Sequence, residues 1–306
     1  MKFNNKILGI IFIGLLALYF IKKVVSKPEV RSFKEVLVSV DTASVNKLIY
    51  YPKGGSPVIT LQRNGSNWTA NNGTKTVDAV SGIIQSMLAP TTEIKPLQLI
   101  SKSKEKWADY EVDDASGKKV ELYNGDKLLS SFYVGRFNFN QNTKTAKTYM
   151  RLSGEDDIYI IDGFLSMTYE KQFDDFRNKN LFNGLNSENI TGLKISGDVN
   201  IGLGKDISGQ WIDDEGLTKD SLSVARYIQS LSNARGSEII DDYSPHNNLI
   251  SQINISTKDN INNQNIDIYK EGDNSFIMKS SSNDVFFKTD SSGIFKSLYL
   301  DLKELL

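Results

Sequence analysis

The chain has 306 residues, 39% hydrophobic and 24% charged, with 13 Tyr, 15 Phe and 3 Trp, which is enough apolar material for a packed core and excludes wholesale disorder. A formal net charge of −1 argues against a general nucleic-acid binder. There is no cysteine, which excludes disulfides, zinc–thiolate sites, thiol nucleophiles, iron–sulfur clusters and an acylated-cysteine anchor; the single His246 excludes multi-histidine metal sites.

Charge is unevenly placed along the chain. Lys2, Lys6, Lys22, Lys23, Lys27, Arg31 and Lys34 face only Glu29 within the first 34 positions, which leaves 29 basic and 36 acidic residues for the rest. Inside this basic region, Ile7 to Ile21 carries no charge. With Lys22 and Lys23 snorkelling and Val24 and Val25 beyond them, Ile7–Val25 approaches the roughly 20 residues of a spanning helix. A cleaved signal peptide is the alternative, but no small-x-small cleavage site follows. We therefore expect a tail at 1–6, a membrane anchor at 7–25 and a basic stem at 26–36. Counting flanking charges places the body in the cytoplasm, whereas a signal-like start before a long soluble region is the design of an exported protein; we take the body to be periplasmic.

Beyond the stem, alternating apolar runs predict strands at Lys47–Tyr51, Val58–Gln62, Lys119–Tyr123, Leu128–Val134, Thr148–Leu152 and Asp157–Ile161. Asn64-Gly65-Ser66, Asn72-Gly73, Asn124-Gly125-Asp126, Ser153-Gly154-Glu155 and Glu271-Gly272-Asp273 are hairpin signals between such runs. Asp78 is placed to cap a helix with Ile83, Ile84, Met87 and Leu88 on one face, stopped by Pro90. Asp220 is placed to do the same before Leu222, Ala225, Ile228 and Leu231, with Gly236 as a stop.

These helices belong to a longer repetition. Ile84-Gln-Ser-Met87 matches Ile228-Gln-Ser-Leu231 at an offset of 144 residues, and Trp68 with Trp211 and Val45-x-x-Leu48 with Ile190-x-x-Leu193 match at nearly the same offset. Tyr149-Met-Arg151 then matches Phe276-Ile-Met278 at an offset of 127. The pattern predicts an α+β protein: a single transmembrane helix, then two tandem β-rich units at 37–165 and 185–306, each with an antiparallel sheet and one main helix. Phe164–Phe182, with Phe164, Tyr169, Phe173 and Phe176 at helical spacing, is expected to form a helix and turn packed on the first sheet, the units being linked over 166–184. Gly293–Leu306 is expected to be a closing helix of the second unit.

Trp107-Ala-Asp-Tyr-Glu-Val-Asp113, Tyr133-Val-Gly135, Thr148-Tyr-Met-Arg151, Asp157-Ile-Tyr-Ile-Ile161 and Phe173-Asp-Asp-Phe-Arg-Asn-Lys-Asn-Leu181 follow one another in a cadence. It resembles the bacterial family called domain of unknown function 4340, best over Lys104–Leu185. The resemblance implies a membrane-anchored, β-rich extracytoplasmic body with an accessory role, some members lying beside or fused to gliding-motility-type ABC exporter components. It implies no site residues.

Catalytic signatures fail on context. Gly202-Leu-Gly204-Lys-Asp-Ile-Ser-Gly209 has the wrong spacing for a dinucleotide loop and leads into a strand. Ser101-x-x-Lys104 lacks the motifs that accompany an acylating pair. Adjacent acids such as Asp113-Asp114, Asp174-Asp175 and Asp241-Asp242 read as solvated turns, and no calcium loop closes on a Glu. His246 has no triad partners in sequence, and Trp68, Trp107 and Trp211 read as core anchors. We expect no catalytic, cofactor or metal residues and no enzyme. The expected role is a single-pass inner-membrane protein that binds the bilayer through Ile7–Val25 and other integral membrane or envelope proteins, with no nucleic acid. The alternative is a ligand-binding module with a cleft between the repeats for a lipid, glycan or peptide.

Overall fold

The computed structural model describes residues 12–17, 33–54, 56–246, 248–258 and 263–305. Of the expected anchor Ile7–Val25, only 12–17 falls among them, and it is helical; the remainder, with the tail and most of the stem, lies outside the described residues. Among the described residues, no helix is long and apolar enough to cross a membrane. The rest divides into two units, with the boundary between Phe176 and Arg177.

In the first unit, strands β1 (Lys47–Tyr51), β2 (Ile59–Asn64), β3 (Asn67–Asn71) and β4 (Thr76–Ala79) lead to helix α1 (Ser81–Leu88). Strands β5 (Pro96–Ser101), β6 (Lys118–Asn124), β7 (Lys127–Asn140), β8 (Thr145–Leu152) and β9 (Ile158–Asp162) follow, then the single turn α2 (Leu165–Thr168). The sheet is antiparallel in the order β4-β3-β2-β1-β6-β7-β8-β9-β5. The twofold side-chain period decides which residues meet the helix. Leu48, Leu61, Leu122, Phe132, Met150 and Tyr159 all point to one face and pack with Ile84, Met87 and Leu88. Each such side chain taken out of water contributes roughly 1.5–3 kcal/mol, which is what holds so short a helix on the sheet. Two-residue turns close the early hairpins, pairing Asn64 with Asn67 and Asn124 with Lys127. Gly65 and Gly125 stand at φ 63° and 60°, the left-handed region a side chain would resist.

Asp78 does not cap α1. The strand continues through Ala79 and pairs Asp78 with Thr69, so its carboxylate lies too far upstream; Val80 takes the N-cap position without a side-chain bond, and its N–H donates to Phe176 O at 2.8 Å. The expected linking stretch divides between the units: Tyr169 and Phe176 are buried in the first core, Leu181 and Phe182 in the second.

The second unit contains β10 (Ile190–Gly197), β11 (Ile201–Lys205), β12 (Trp211–Asp213), α3 (Ser221–Ser232), β13 (Glu238–Ile240), β14 (Leu249–Thr257), β15 (Gln264–Gly272), β16 (Ser275–Ser280), β17 (Phe286–Thr289) and α4 (Asp301–Leu305). Its sheet runs β12-β11-β10-β14-β15-β16-β17-β13, also antiparallel, which is the first sheet's order strand for strand once edge strand β4 is removed. Smaller details recur too. Trp68 lies 5.0 Å below the Arg63 guanidinium, its cross-strand partner, and Trp211 lies 5.0 Å below the Lys205 ammonium in the same relation.

Three sequence expectations shift in this unit. Asp220 caps α3 as expected, accepting from Ser223 N at 2.9 Å, but the buried face is Val224, Tyr227, Ile228 and Leu231, while Leu222 and Ala225 are exposed. Spacing i, i+3, i+4, i+7 fits the observed set better than the expected one. Helix α3 ends at Asn233, and Gly236 serves a different purpose: a Cβ there would come within 2.0 Å of the Phe287 ring. The offset of 127 in the last hairpin pairs Tyr149, on the first sheet's outer face, with Phe276 in the second core. Met150 faces Tyr159 across the strands as Met278 faces Phe287, so the structural offset is one residue larger. A slip of one exchanges the two faces of a strand. After β17, a π-helical turn over Lys296–Leu300 and α4 close the second core with Phe295, Leu298, Tyr299 and Leu302.

Candidate functional site

While Val134, Met150, Tyr159, Ile161 and Phe176 face the helix-side core, about half of the family cadence gathers on the outer face of the first sheet, away from α1. Residues 102–117, between β5 and β6, fold over that face, so that Trp107, Tyr110 and Val112 cover Tyr133, Tyr149, Ile158 and Ile160. Arg151 holds the cover down. It is 2% exposed, with its guanidinium 3.6 Å from the Trp107 ring centre and 4.0 Å from that of Tyr133. Its Nε donates to Val112 O at 2.9 Å, and one Nη donates to Leu152 O and Glu155 O at 3.3 Å. Desolvated cation–π contacts are worth about 2 kcal/mol and hydrogen bonds from a charged group about 1.5–3 kcal/mol, so this cation is a structural clamp on the covering loop.

The surrounding ionisable groups serve the same loop. Burial pushes the Tyr133 hydroxyl up, reinforced by the bond it donates to Asp114. Burial would raise the Asp113 carboxyl, but bonds from Ser116 and the Ala115 N–H, with the nearby Arg151 charge, hold it below the usual carboxylate range. Gly135 admits the loop: a Cβ there would meet Tyr110 O at 2.2 Å. Trp107 is therefore less a core anchor, as expected from sequence, than one plate of the Arg151 sandwich; Trp68 and Trp211 are core residues at 2% and 5% exposure.

At the same point β7 bulges. Gly135 and Arg136 together oppose Tyr149, since Val134 pairs with Met150 and Phe137 with Thr148. Arg136 turns onto the outer face, over the Tyr110 and Tyr149 rings at 5.2 and 5.1 Å, while Phe137 returns to the helix-bearing face. Strand β7 then runs past the end of β6, whose pairing stops at Val134, so β7 and β8 project as a two-stranded arm.

This arm carries an exposed apolar shelf. Phe137 stacks on Phe164 at 5.4 Å and lies 6.4 Å from Phe139; Phe139 and Phe164 are 6.5 Å apart. Phe139 is 43% exposed, and Phe164 and Met167 are each 54% exposed. Single exposed apolar residues need no explanation, but a contiguous stacked group marks a contact surface. A hollow of about 380 Å³ opens beside it, with Ile94, Ile161, Phe164 and Leu165 among its apolar walls and Glu93, Lys95 and Asp162 among its charged ones. The buried Lys118 fixes the α2 side of the shelf: its ammonium donates to Ser166 O and Oγ at 2.9 Å and to Glu170 at 2.7 Å. Sequence reasoning placed Phe164 against the first sheet and passed over Phe137 and Phe139. The available signal was the alternation Phe-Asn-Phe-Asn at 137–140, continuing beyond the expected strand end at Val134.

Among the described residues, the second unit has no such arm. Gly272 pairs with Ser275, and β15 turns into β16 through Asp273 and Asn274. Its outer face bears a smaller cluster, with Tyr243, Tyr269 and Phe286 rings 5.0–6.4 Å apart. Residues singled out for chemistry do not converge. His246 is exposed, with its N–H on Asn248 Oδ1; Asp241 holds Arg177; and Ser101 accepts from Ser103 N while Lys104 lies over Trp107. The glycine-rich 202–209 segment is the β11–β12 hairpin, its turn bonded to Asp206 Oδ1. Among the described residues, no three acidic or histidine side chains gather to hold a metal ion.

No curated protein and no solved structure matches the chain. A family model does, over residues 68–249, from the core tryptophan of the first sheet to the start of β14 and across the Arg151 clamp and the arm. That is more than half of the sequence, and the chain belongs to the family described as Domain of unknown function (DUF4340).

Proposed function

We propose that this chain is a non-enzymatic, membrane-anchored interaction subunit of the bacterial envelope. Ile7–Val25 crosses the inner membrane once, the body lies in the periplasm, and the first unit meets integral membrane components. An ABC-type exporter or surface machinery is the setting that the family resemblance implies. The observation that supports this reading best is the Phe137–Phe139–Phe164 shelf with Met167, an apolar surface held in place by a buried lysine and a clamped loop and without a counterpart among the described residues of the second unit. Rigid backing of exposed aromatics is how contact surfaces keep affinity without losing side-chain entropy on binding.

A photo-crosslinking amino acid at Phe139 or Phe164, in cells producing the full chain, is expected to yield discrete adducts with integral membrane proteins. The same residue at Asp273, on the second unit's hairpin, is expected to yield none. Absence of adducts from the shelf, or an identical pattern from Asp273, would sink the reading. Protease added to spheroplasts is expected to digest the body, and protection would reverse its side.

A further inference from the structure

The arm's charge is as distinctive as its phenylalanines. From Lys127 to Gly154 the sequence contains no Asp or Glu, although the chain beyond the stem is acidic overall. Arg136, Lys144 and Lys147 are exposed along the arm: Lys144 stands in its turn, while Arg136 and Lys147 lie on the face opposite Phe139, since Lys147 pairs with Asn138 and Phe139 with Ala146. Lys147 stands across from Asp162 on β9, which offsets part of its charge; Arg136 and Lys144 have no acid opposite them in the ladder. An exposed ring on one face of a projecting hairpin, with cations at its turn and on its other face, is the chemistry of edge-on insertion at an anionic bilayer surface: the ring enters the headgroup boundary while the cations meet phosphates.

We infer that the β7–β8 arm docks tip-first on anionic phospholipid, Phe139 entering the headgroup region from one face of the hairpin while Lys144 at the turn and Lys147 on the other face meet the phosphates. The inference rests on the anchored reading above and names what the shelf touches. The chain length between the expected anchor and the body is compatible. Phe33, packed on the first core, follows Val25 by seven intervening residues, which span at most about 25 Å. The first unit is thereby kept near the bilayer, where even a weak surface contact is favoured by its local concentration.

The cysteine-free chain allows one clean probe. The full chain carrying Asn142→Cys at the arm tip, labelled with a polarity-sensitive fluorophore, is reconstituted in vesicles of phosphatidylcholine alone or with added phosphatidylglycerol. Emission is expected to brighten severalfold and shift to the blue only with phosphatidylglycerol, and to return toward its aqueous value in high salt. Lys144→Glu with Lys147→Glu, and separately Phe139→Ser, are expected to abolish the change, while a label at Asp273→Cys stays constant throughout. Equal emission in the two lipids, or a change that survives the charge reversal, overturns the inference. If that happens while Phe139 still crosslinks to membrane proteins in cells, the shelf is a protein contact and the interaction reading stands. Release of the chain from vesicles by alkaline carbonate would instead sink the anchor, leaving the lipid comparison to decide the arm on its own.

Discussion

Between β5 and β6 the first unit runs through residues 102–117, whereas between β13 and β14 the second runs only through 241–248. The sheets beneath are ordered alike, so the difference lies in what covers their outer faces. The longer connection builds a small second core closed by Arg151. At the equivalent place in the second unit stands Lys279, partly exposed, 5.6 Å from the Phe286 ring and bonded to Asn283 O. Cover and arm are linked, because Tyr110 of the covering loop is one of the two rings under Arg136, where the arm departs. A common scaffold has been given a clamped cover on one copy, and that cover supports the only long projecting hairpin among the described residues.

Arg151→Ala should separate the units most clearly. It leaves three backbone carbonyls and two ring faces without their partner, and we expect a loss of about 3 kcal/mol confined to the first unit. Hydrogen exchange by mass spectrometry should show deprotection of 102–117 and of β8, while Lys279→Ala changes the second unit by less than about 1 kcal/mol. Equal effects would remove the distinction between clamped and open faces.

A smaller contrast concerns the helices. Asp220 and Asp78 look alike in sequence, but only Asp220 bonds to its helix. Asp220→Ala is expected to cost the second unit about 1 kcal/mol, and Asp78→Ala to stay within about 0.5 kcal/mol, read from urea melts of the full chain. A matching loss from Asp78→Ala would mean that α1 is capped after all.

The most modest test uses alkali. Burial, with the Asp157 charge and hydrogen bond beside it, pushes the Tyr159 hydroxyl up to about 12; burial likewise pushes Tyr50 up to about 12. Unfolded tyrosine ionises near 10, so the unfolded chain loses these protons first and the stability they carry declines between about pH 10 and 12. Tyr159→Phe should make that decline shallower in the first unit and leave its behaviour at pH 7 almost unchanged. An unaltered slope would show that Tyr159 does not carry the alkaline transition.

Much of the architecture was legible in the linear pattern, and the exceptions have physical causes. Strand β1 coincides with its expected span, and the Asn-Gly turns occur where φ must be positive. The repetition could be read because Trp68 and Trp211, and Ile84 and Ile228, are fully used by equivalent cores, which leaves little freedom of residue type. The last hairpin slipped by one residue because Phe276-Ile-Met278 is apolar at every position, and an apolar run does not say which face is inward. Asp78 misled because a capping residue and an edge-strand residue have the same composition. The shelf was missed for a related reason: an alternating strand implies one covered face, and only the neighbours can show that the cover ends.

Sequence alone was sufficient for the absence of thiol chemistry, the apolar Ile7–Ile21 run, the turn positions and the existence of two related α+β units, since each follows from residue type or local spacing. Tertiary structure alone decided that the outward-facing part of the family cadence is a clamp around Arg151 and that β7 bulges at Gly135. It also decided that Phe164 meets Phe137 and Phe139, from a strand well upstream in the chain, on an uncovered surface. The physical reason is that burial and exposure belong to pairs of elements: a residue's own chemistry states its preference for water, and the packing of distant strands determines whether that preference is met.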